Sequence, residues 1–259
     1  MLEKEIIQAK RIREKILMMV LNSGEGHIAS SFSIVEILIA LISVMRKENK
    51  GEVNFKNIIL SKGHASYAYY ALLNYLGVMS DQEVEKIGKM GSKFYGHLPY
   101  VFNDDRFSYG SGSLGHGLPY ALGLAVANSI LKKDDYIYCI VGDGEANEGT
   151  FWETLLLSQK FKSSKLRILV DCNSSSERAI PISKTLHNLE NAFESIDILS
   201  CDGHNIEDIS TNLSKGSNIT VVLCNTIKGY PSKMMANNPI WHHRTPNAKE
   251  ADLILKEIQ

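Results

Sequence analysis

The sequence lacks any concentration of positive charge, because its 28 basic residues are balanced by 29 acidic ones. No lysine- and arginine-rich run resembles a nucleic-acid footprint, so we expect no nucleic-acid partner. Long apolar stretches are also missing: none approaches the roughly 18 residues of a membrane span. The chain opens on the charged residues Glu3, Lys4 and Glu5. These absences predict a soluble, cytoplasmic protein with no membrane partner.

Cysteine is scarce as well, with four scattered residues and no CxxC spacing. A disulfide framework or a cysteine-ligated zinc site therefore has little support, and reduced thiols are expected at Cys139, Cys172, Cys201 and Cys224. No internal repeat or low-complexity linker divides the 259 residues, of which 44% are hydrophobic. This length and composition predict a single domain over residues 1–259 with a substantial core.

Apolar residues recur at helical and strand spacing along most of the chain. They predict helices over 5–21, 34–44, 65–76, from the glycine-rich loop to 131, 148–161 and 206–213, with a last helix after 246. They predict strands over 57–60, 136–141, 167–171 and 219–224. Strand, glycine-rich turn, helix and strand between 136 and 171 form one βαβ crossover, which implies an α/β fold with a parallel sheet flanked by helices.

A polar motif follows two successive predicted strands. Gly142-Asp143-Gly144 ends the strand at 136–141, and Asn173 follows the strand at 167–171. Adjacent parallel strands bring such ends to one edge of the sheet, so these side chains should converge. A carboxylate and an amide oxygen suit magnesium, and flanking glycines let a diphosphate approach the backbone. Gly-Asp-Gly alone also fits an ordinary turn.

Gly142-Asp143-Gly144, 28 intervening residues and Asn173 together resemble the thiamine-diphosphate fingerprint of transketolases. Further segments occur in the family's order: Gly26-His27, Leu60-Ser-Lys-Gly-His64, Gly96-His97, Gly110-Ser-Gly-Ser-Leu-Gly-His-Gly117, Asp202-Gly-His-Asn205 and Trp241-His242. The resemblance extends from Lys10 to about Pro246. It implies a thiamine-diphosphate-binding fold, of which this chain is the diphosphate-binding domain.

The same resemblance implies the activity: transfer of a two-carbon ketol unit from a ketose to an aldose, with thiamine diphosphate and Mg²⁺ or Ca²⁺ as cofactors. It assigns the metal to Asp143, Asn173 and the backbone carbonyl of Ser175. It assigns the cofactor to His64, Gly115, Gly142, Asp143, Gly144, Asn173, Ser175 and His242. It assigns catalytic contacts with the substrate or diphosphate to His27, His64, His97 and His242.

Two further implications concern assembly. Glu148 and Glu153 correspond to acids at the contact between two copies of the domain, although helix capping also explains an acid there. Complete transketolases carry a second domain that supplies the glutamate for the cofactor's pyrimidine ring, and nothing follows Gln259. We therefore expect the N-terminal subunit of a split transketolase, whose partner in an α2β2 assembly is a C-terminal, pyrimidine-binding chain.

The sequence departs from the family in three places. Ile28-Ala29-Ser30 replaces a small glycine, His116 stands where glutamine is common, and Ser174-Ser175-Ser176-Glu177 replaces apolar residues that wedge the cofactor rings. These departures motivate the hypothesis that the substrate is a modified or nucleotide-linked sugar. Two alternatives stay open: another thiamine-diphosphate enzyme, such as a 2-oxoacid dehydrogenase α subunit or a deoxyxylulose-phosphate synthase, and a non-catalytic scaffold or regulatory subunit.

Overall fold

The structure, a computed structural model, describes residues 2–162, 164–174, 185–186, 188–191, 193–216 and 218–259. Its α-helices are α1 Leu2–Ser23, α2 Ile28–Ser33, α3 Val35–Glu48, α4 Ser66–Tyr75, α5 Asp81–Glu85, α6 Gly117–Ile130, α7 Gly149–Ser158, α8 Ile206–Lys215 and α9 Ala248–Ile258. Within this described part, no helix is both long and apolar enough to cross a membrane.

Five parallel strands form one sheet in the order β1-β2-β3-β5-β4. They are β1 Ile58–Leu60, β2 Ile137–Gly142, β3 Leu166–Cys172, β4 Asp197–Asp202 and β5 Ile219–Asn225. Gly142 pairs with Asp171, and Asp171 pairs with Cys224. Strands β2, β3 and β5 therefore end level with one another, and the loops that follow them share one edge of the sheet.

Two apolar layers cover the sheet, because successive strand side chains point to opposite faces. Tyr138 and Ile140 face the cluster built with α1 to α4, α8 and α9. Cys139 and Val141 face the cluster built with α6 and α7. The central strands are buried on both faces, which explains their nearly continuous apolar sequence.

The structure confirms the predicted α/β class, and most predicted elements match within a few residues. Strand β4, Asp197–Asp202, was not predicted, since it is an edge strand whose burial alternates and whose ends are acidic. Helix α2, Ile28–Ser33, was also missed, because six residues with three serines show no helical period. The helix predicted over 148–161 is shorter and spans Gly149–Ser158.

A buried ion pair joins α1 to α3. The Arg13 guanidinium donates to both carboxylate oxygens of Glu36, at 2.6 and 2.7 Å, and to the carbonyl oxygen of Phe32 at 3.1 Å. His204 Nδ1 lies 3.2 Å from Glu36, while its Nε2 accepts from the backbone N–H of Ile227 at 2.8 Å. Burial alone raises the pKa of Glu36, but Arg13 and His204 leave it lowered.

Replacing Arg13 by Met should lower the free energy of unfolding by roughly 3 to 5 kcal/mol, because the Glu36 carboxylate would stay buried without its cation. Urea denaturation measures this loss. Lys15→Met on the same helix is the matched control, because Lys15 pairs with exposed Asp81 at 3.1 Å and its removal should barely move the midpoint. Equal midpoints for the two variants would contradict the assignment of the pair as structural.

Candidate functional site

Asp143 lies at the centre of this sheet edge, directly after β2. Its carboxylate accepts from the backbone N–H groups of Gly144 and Ser174 and is only 3% exposed. The other oxygen, Oδ2, is buried with no hydrogen-bond partner among the described residues. Burial and the nearby Asp171 raise the pKa of Asp143 to about 6. A buried carboxylate oxygen without a hydrogen-bond partner could hold a cation.

Asn173 directly follows β3, so it and Asp143 follow neighbouring parallel strands at one edge of the sheet, as the sequence predicted. Its amide Nδ2 donates to Asp171 Oδ2 at 2.9 Å, which fixes the side chain. Asp171 is fully buried, pairs with the Lys62 ammonium and accepts from Ser33 Oγ at 2.8 Å. The pair was not recognised from the sequence, although an acid at the end of the apolar run before Asn173 requires such a partner.

Glu145 holds the glycine-rich loop against the Asp143 turn. Its Oε1 accepts from Ser61 Oγ at 2.6 Å and from the Gly115 N–H at 2.9 Å, and its Oε2 accepts from the Gly142 N–H at 2.9 Å. Burial raises the pKa of Glu145, and these donors oppose the rise. Glu145 was not predicted as a site residue, although an acid directly after Gly142-Asp143-Gly144 could have indicated one.

Gly115 must be a glycine where it lies. Its φ is +76°, and a Cβ there would stand 2.6 Å from Thr150 Oγ1 and 2.9 Å from Glu148 Cβ. The close approach packs the glycine-rich loop onto the start of α7, where Thr150 Oγ1 donates to the Gly115 carbonyl at 3.2 Å. Glu148 is the residue before α7 and makes no side-chain capping bond, although an acid is favoured at this end of a helix. Glu153 is exposed on the same helix.

Five histidines form an imidazole cluster next to this edge: His27, His64, His97, His242 and His243. The His27 ring lies 4.3 Å from His64, 5.8 Å from His97, 5.5 Å from His242 and 4.5 Å from His243, centroid to centroid. The structure thus brings together the four histidines predicted from sequence. His243 was missed, although it directly follows His242 in the sequence.

The cluster is electrically neutral at its centre. Burial and then the neighbouring His64 lower the pKa of His27 to about 3, and burial and then His242 lower that of His64 to about 4. The pKa values of His97 and His242 are lowered too, chiefly by burial. Neutral imidazole offers one donor and one acceptor nitrogen. His27 Nδ1 is buried with no hydrogen-bond partner among the described residues.

Lys228 connects the imidazole cluster to the sheet edge. Its Nζ lies 3.0 Å from His242 Nδ1, and its side chain is buried. Burial and the neighbouring Lys62 lower the pKa of Lys228 to about 8, while Asp171 and Asp143 oppose that shift. Two lysines, two buried carboxylates and several imidazoles therefore lie close to one another. Sequence analysis did not single out Lys228, because it lies in a loop with no periodic pattern.

The three departures from the family pattern fall in different places. Ser30 is buried in α2, and its carbonyl accepts from Lys62 Nζ at 3.2 Å. His116 is exposed and lies 3.1 Å from Ser113 Oγ, outside the imidazole cluster. Ser174 is described and has a φ of 57°. Ser175, predicted as a metal and cofactor ligand, and Glu177 lie outside the described residues.

A parallel sheet whose carboxyl-terminal edge carries a buried carboxylate, lysines and a glycine-rich loop is typical of phosphate-binding α/β domains. The particular family follows from comparison: the model of the transketolase thiamine-diphosphate-binding domain matches residues 3–257. The chain therefore belongs to the transketolase family, as its thiamine-diphosphate-binding domain. The resemblance seen in the sequence is confirmed, and with it the class of thiamine-diphosphate-dependent transketolase.

Two relatives are themselves short chains. An apulose-4-phosphate transketolase subunit of Actinobacillus succinogenes is 32% identical over 97% of this chain and 95% of its own length. The 6-deoxy-6-sulfo-D-fructose transketolase subunit SqwG of a Clostridium species is 30% identical over 86% and 84%. The transketolase structure from Leishmania mexicana superimposes with a TM-score of 0.85 at 20% identity, covering 98% of this chain and 41% of that one. This last likeness shows the fold alone.

Replacing Asp143 by Asn should stabilise the metal-free protein by roughly 2 to 3 kcal/mol at pH 7.5, because the amide removes a buried, unpaired charge. A folded pKa of about 6, above the unfolded value, makes this penalty grow as pH rises between these two values. The gain should therefore vanish near pH 4. Urea denaturation of both proteins at the two pH values measures it.

The lowered histidine pKa values act in the opposite direction, since stability falls as pH drops below 6.5, but both proteins share this effect. The difference between them isolates Asp143. A pH-independent difference, or a less stable variant at pH 7.5, would contradict the raised pKa.

Proposed function

We propose that this chain is the diphosphate-binding subunit of a split transketolase that transfers a two-carbon ketol unit from a ketose to an aldose. The observation that carries the proposal is the orphaned Asp143 Oδ2, buried at the end of β2 beside Asn173 and near Lys228. Thiamine diphosphate, when bound, supplies the carbanion chemistry of the transfer. Every other part of the proposal concerns what the protein's own residues do.

The residues fit a metal diphosphate. Asp143 and Asn173 would provide two oxygens to Mg²⁺ or Ca²⁺, and the Ser175 carbonyl would provide a third, with diphosphate oxygens completing the shell. Gly142 and Gly144 leave the backbone accessible, and Gly115 brings the glycine-rich loop alongside. Lys228 would offset the negative charge of the diphosphate, because charged donors bind phosphate oxygens strongly. The neutral rings of His64 and His242 would each donate one hydrogen bond to it.

The imidazole cluster suits a polyhydroxylated substrate. Neutral rings at His27, His64, His97 and His242 can each donate one hydrogen bond and accept another, which matches the hydroxyl groups of a sugar. The unpartnered His27 Nδ1 supports this role, since a buried polar atom is normally satisfied. These four side chains would orient the ketose and hold or release protons at its hydroxyl oxygens.

The partner would be a C-terminal, pyrimidine-binding chain. Two relatives are about as long as this chain, and both bear the word subunit in their names, which supports a split enzyme. We propose two copies of each chain, with residues 1–259 as one domain, which one continuous sheet supports. A cytoplasmic location fits the four free, buried cysteines.

The sugar would be a modified one. The names of the two short relatives refer to an apulose phosphate and a sulfonated deoxyfructose, both outside the common pentose phosphates. The altered segment from Ser174 to Glu177 and the additional His243 beside the cluster support a changed substrate. Ketol transfer at full rate from xylulose 5-phosphate to ribose 5-phosphate by the assembled enzyme would exclude this part of the proposal.

The alternatives receive less support. The relatives named above are transketolases, and none of them is a 2-oxoacid dehydrogenase. A non-catalytic scaffold has no need for a buried carboxylate with a raised pKa or for five converging imidazoles. The intact geometry at Asp143 and Asn173 therefore favours the enzyme.

Calorimetric titration of thiamine diphosphate with Mg²⁺ into this chain and its partner tests the cofactor site. Wild-type protein should bind only when both chains are present. Asp143→Ala should abolish binding, and Lys228→Met should weaken it about ten- to a hundredfold, because a charge-assisted hydrogen bond to phosphate is removed.

Lys233→Met is the matched control, since Lys233 is exposed on the same loop and should leave the affinity unchanged. Absence of binding by wild-type protein with its partner would reject the cofactor site. Unaltered binding by Lys228→Met would reject only the role of Lys228.

Glu148 and Glu153 are proposed at the contact between two copies of this chain. Both are exposed, and Leu156 and Leu157 on the same helix expose 59% and 48% of their surface, as interface residues do before assembly. Arginine at both acidic positions should weaken self-association at least about tenfold, because four like charges would meet across the twofold axis. Sedimentation velocity over a concentration series measures the self-association. Glu207→Arg is the control, because Glu207 is exposed on α8, away from this contact, and its replacement should have no effect.

A further inference from the structure

The imidazole cluster contains a triad whose spacing suits more than hydrogen bonding. One ligand-competent nitrogen from each of His27, His64 and His242 lies within 4.8 Å of the others. Around a zinc ion, with Zn–N distances of about 2.0–2.1 Å, three nitrogens are roughly 3.3 Å apart. The nitrogens therefore need to approach one another by up to about 1.5 Å. His242 is exposed on a loop, and His64 is half-buried, so both can rotate.

We propose that His27, His64 and His242 form a second metal site, for a borderline divalent transition ion such as Zn²⁺ or Co²⁺. Three imidazoles with an open fourth position are an established zinc arrangement. Imidazole nitrogen suits such ions, whereas Mg²⁺ requires oxygen, so this site and the Asp143 site would sort metals by ligand chemistry.

A second, independent observation points to a ligand at the triad. His27 is almost fully buried, with an exposed fraction of 8%, yet its Nδ1 has no hydrogen-bond partner among the described residues. Buried ring nitrogens are normally satisfied, so an unpartnered one indicates a ligand at this position. The surrounding rings are neutral at pH 7, which is the form that coordinates metal.

The electrostatic surroundings permit a cation, although two lysines are near. Lys62 is paired with Asp171, which offsets its charge, and the lowered pKa of Lys228, about 8, makes it easier for Lys228 to lose its proton when an ion binds. The negative charge of Glu25 acts on the cluster as well, since it opposes the lowering of the His97 pKa. His243, 4.5 Å from His27, is available as a further nitrogen.

Such an ion would occupy the side chains assigned above to the sugar. Ion and sugar would then exclude each other, a consequence that rests on the proposed function. The existence of the site does not, because the triad belongs to this chain alone.

The test is titration of Co²⁺ and Zn²⁺ into the intact, chelator-treated chain without partner, Mg²⁺ or thiamine diphosphate. We expect one Co²⁺ per chain with visible d–d absorption of a nitrogen-ligated ion and no thiolate charge-transfer band. His242→Asn and His27→Asn should each weaken binding at least about tenfold, measured for Zn²⁺ by calorimetry. His242 is exposed, so that variant remains informative if the buried His27→Asn fails to fold.

Two controls make the outcome decisive. His116→Asn removes an exposed histidine outside the cluster and should leave binding unchanged, as should Asp143→Ala. Wild-type affinity in His242→Asn, or loss of Co²⁺ binding in Asp143→Ala, would overturn the proposal. Because Asp143→Ala removes the proposed cofactor site and spares the triad, failure of one assignment is distinguishable from failure of the other.

Discussion

The ion pair between Lys62 and Asp171 is the interaction on which the site depends. Asp171 is fully buried at the end of β3, where burial alone would raise its pKa. Lys62, Ser33 and Thr226 all donate to its carboxylate and leave the pKa lowered. One carboxylate thus joins the segment after β1, helix α2 and the segment after β5. Each of these partners comes from a different part of the chain, so Asp171 fixes three segments relative to one another.

The ion pair also acts on Asp143, whose pKa burial raises most, Asp171 raises further and Lys62 lowers. A permanently charged Asp171 repels a second negative charge, and this repulsion adds to burial in raising the pKa of Asp143. The same Lys62 that stabilises Asp171 acts on Lys228, where it lowers the pKa. Two groups of opposite sign are therefore both shifted toward their neutral forms. A ligand that carries both signs, such as a metal diphosphate, would stabilise the charged forms of Asp143 and Lys228. Without that ligand the two groups lower the stability of the fold, which is a common cost of a functional site.

The fold could be predicted from the sequence because the patterns that indicate strands, helices and turns are local. Buried strands such as Leu166–Cys172 are continuous apolar runs, and the glycine-rich turn between β2 and α7 predicts a parallel crossover. The edge strand Asp197–Asp202 has acidic ends and only a short, mixed apolar centre, and it was missed for that reason. Convergence of Asp143 and Asn173 was predictable from topology alone, since both follow neighbouring strands. The four histidines were grouped by the resemblance, while their neutral state required burial that no pattern reveals.

What the sequence could not provide was pairing across large separations. Lys62 and Asp171 are 109 residues apart, and Ser61 reaches Glu145 across 84. These contacts matter because they give the sheet edge and the imidazole cluster beside it different chemical character. Oxygen donors and lysines meet at the sheet edge, where a hard cation with phosphate is favoured. Neutral nitrogens meet in the imidazole cluster, where hydroxyl groups or a borderline ion are favoured. Lys228 lies between the sheet edge and the imidazole cluster. A change in its charge near pH 8 would therefore alter the electrostatic potential in both regions.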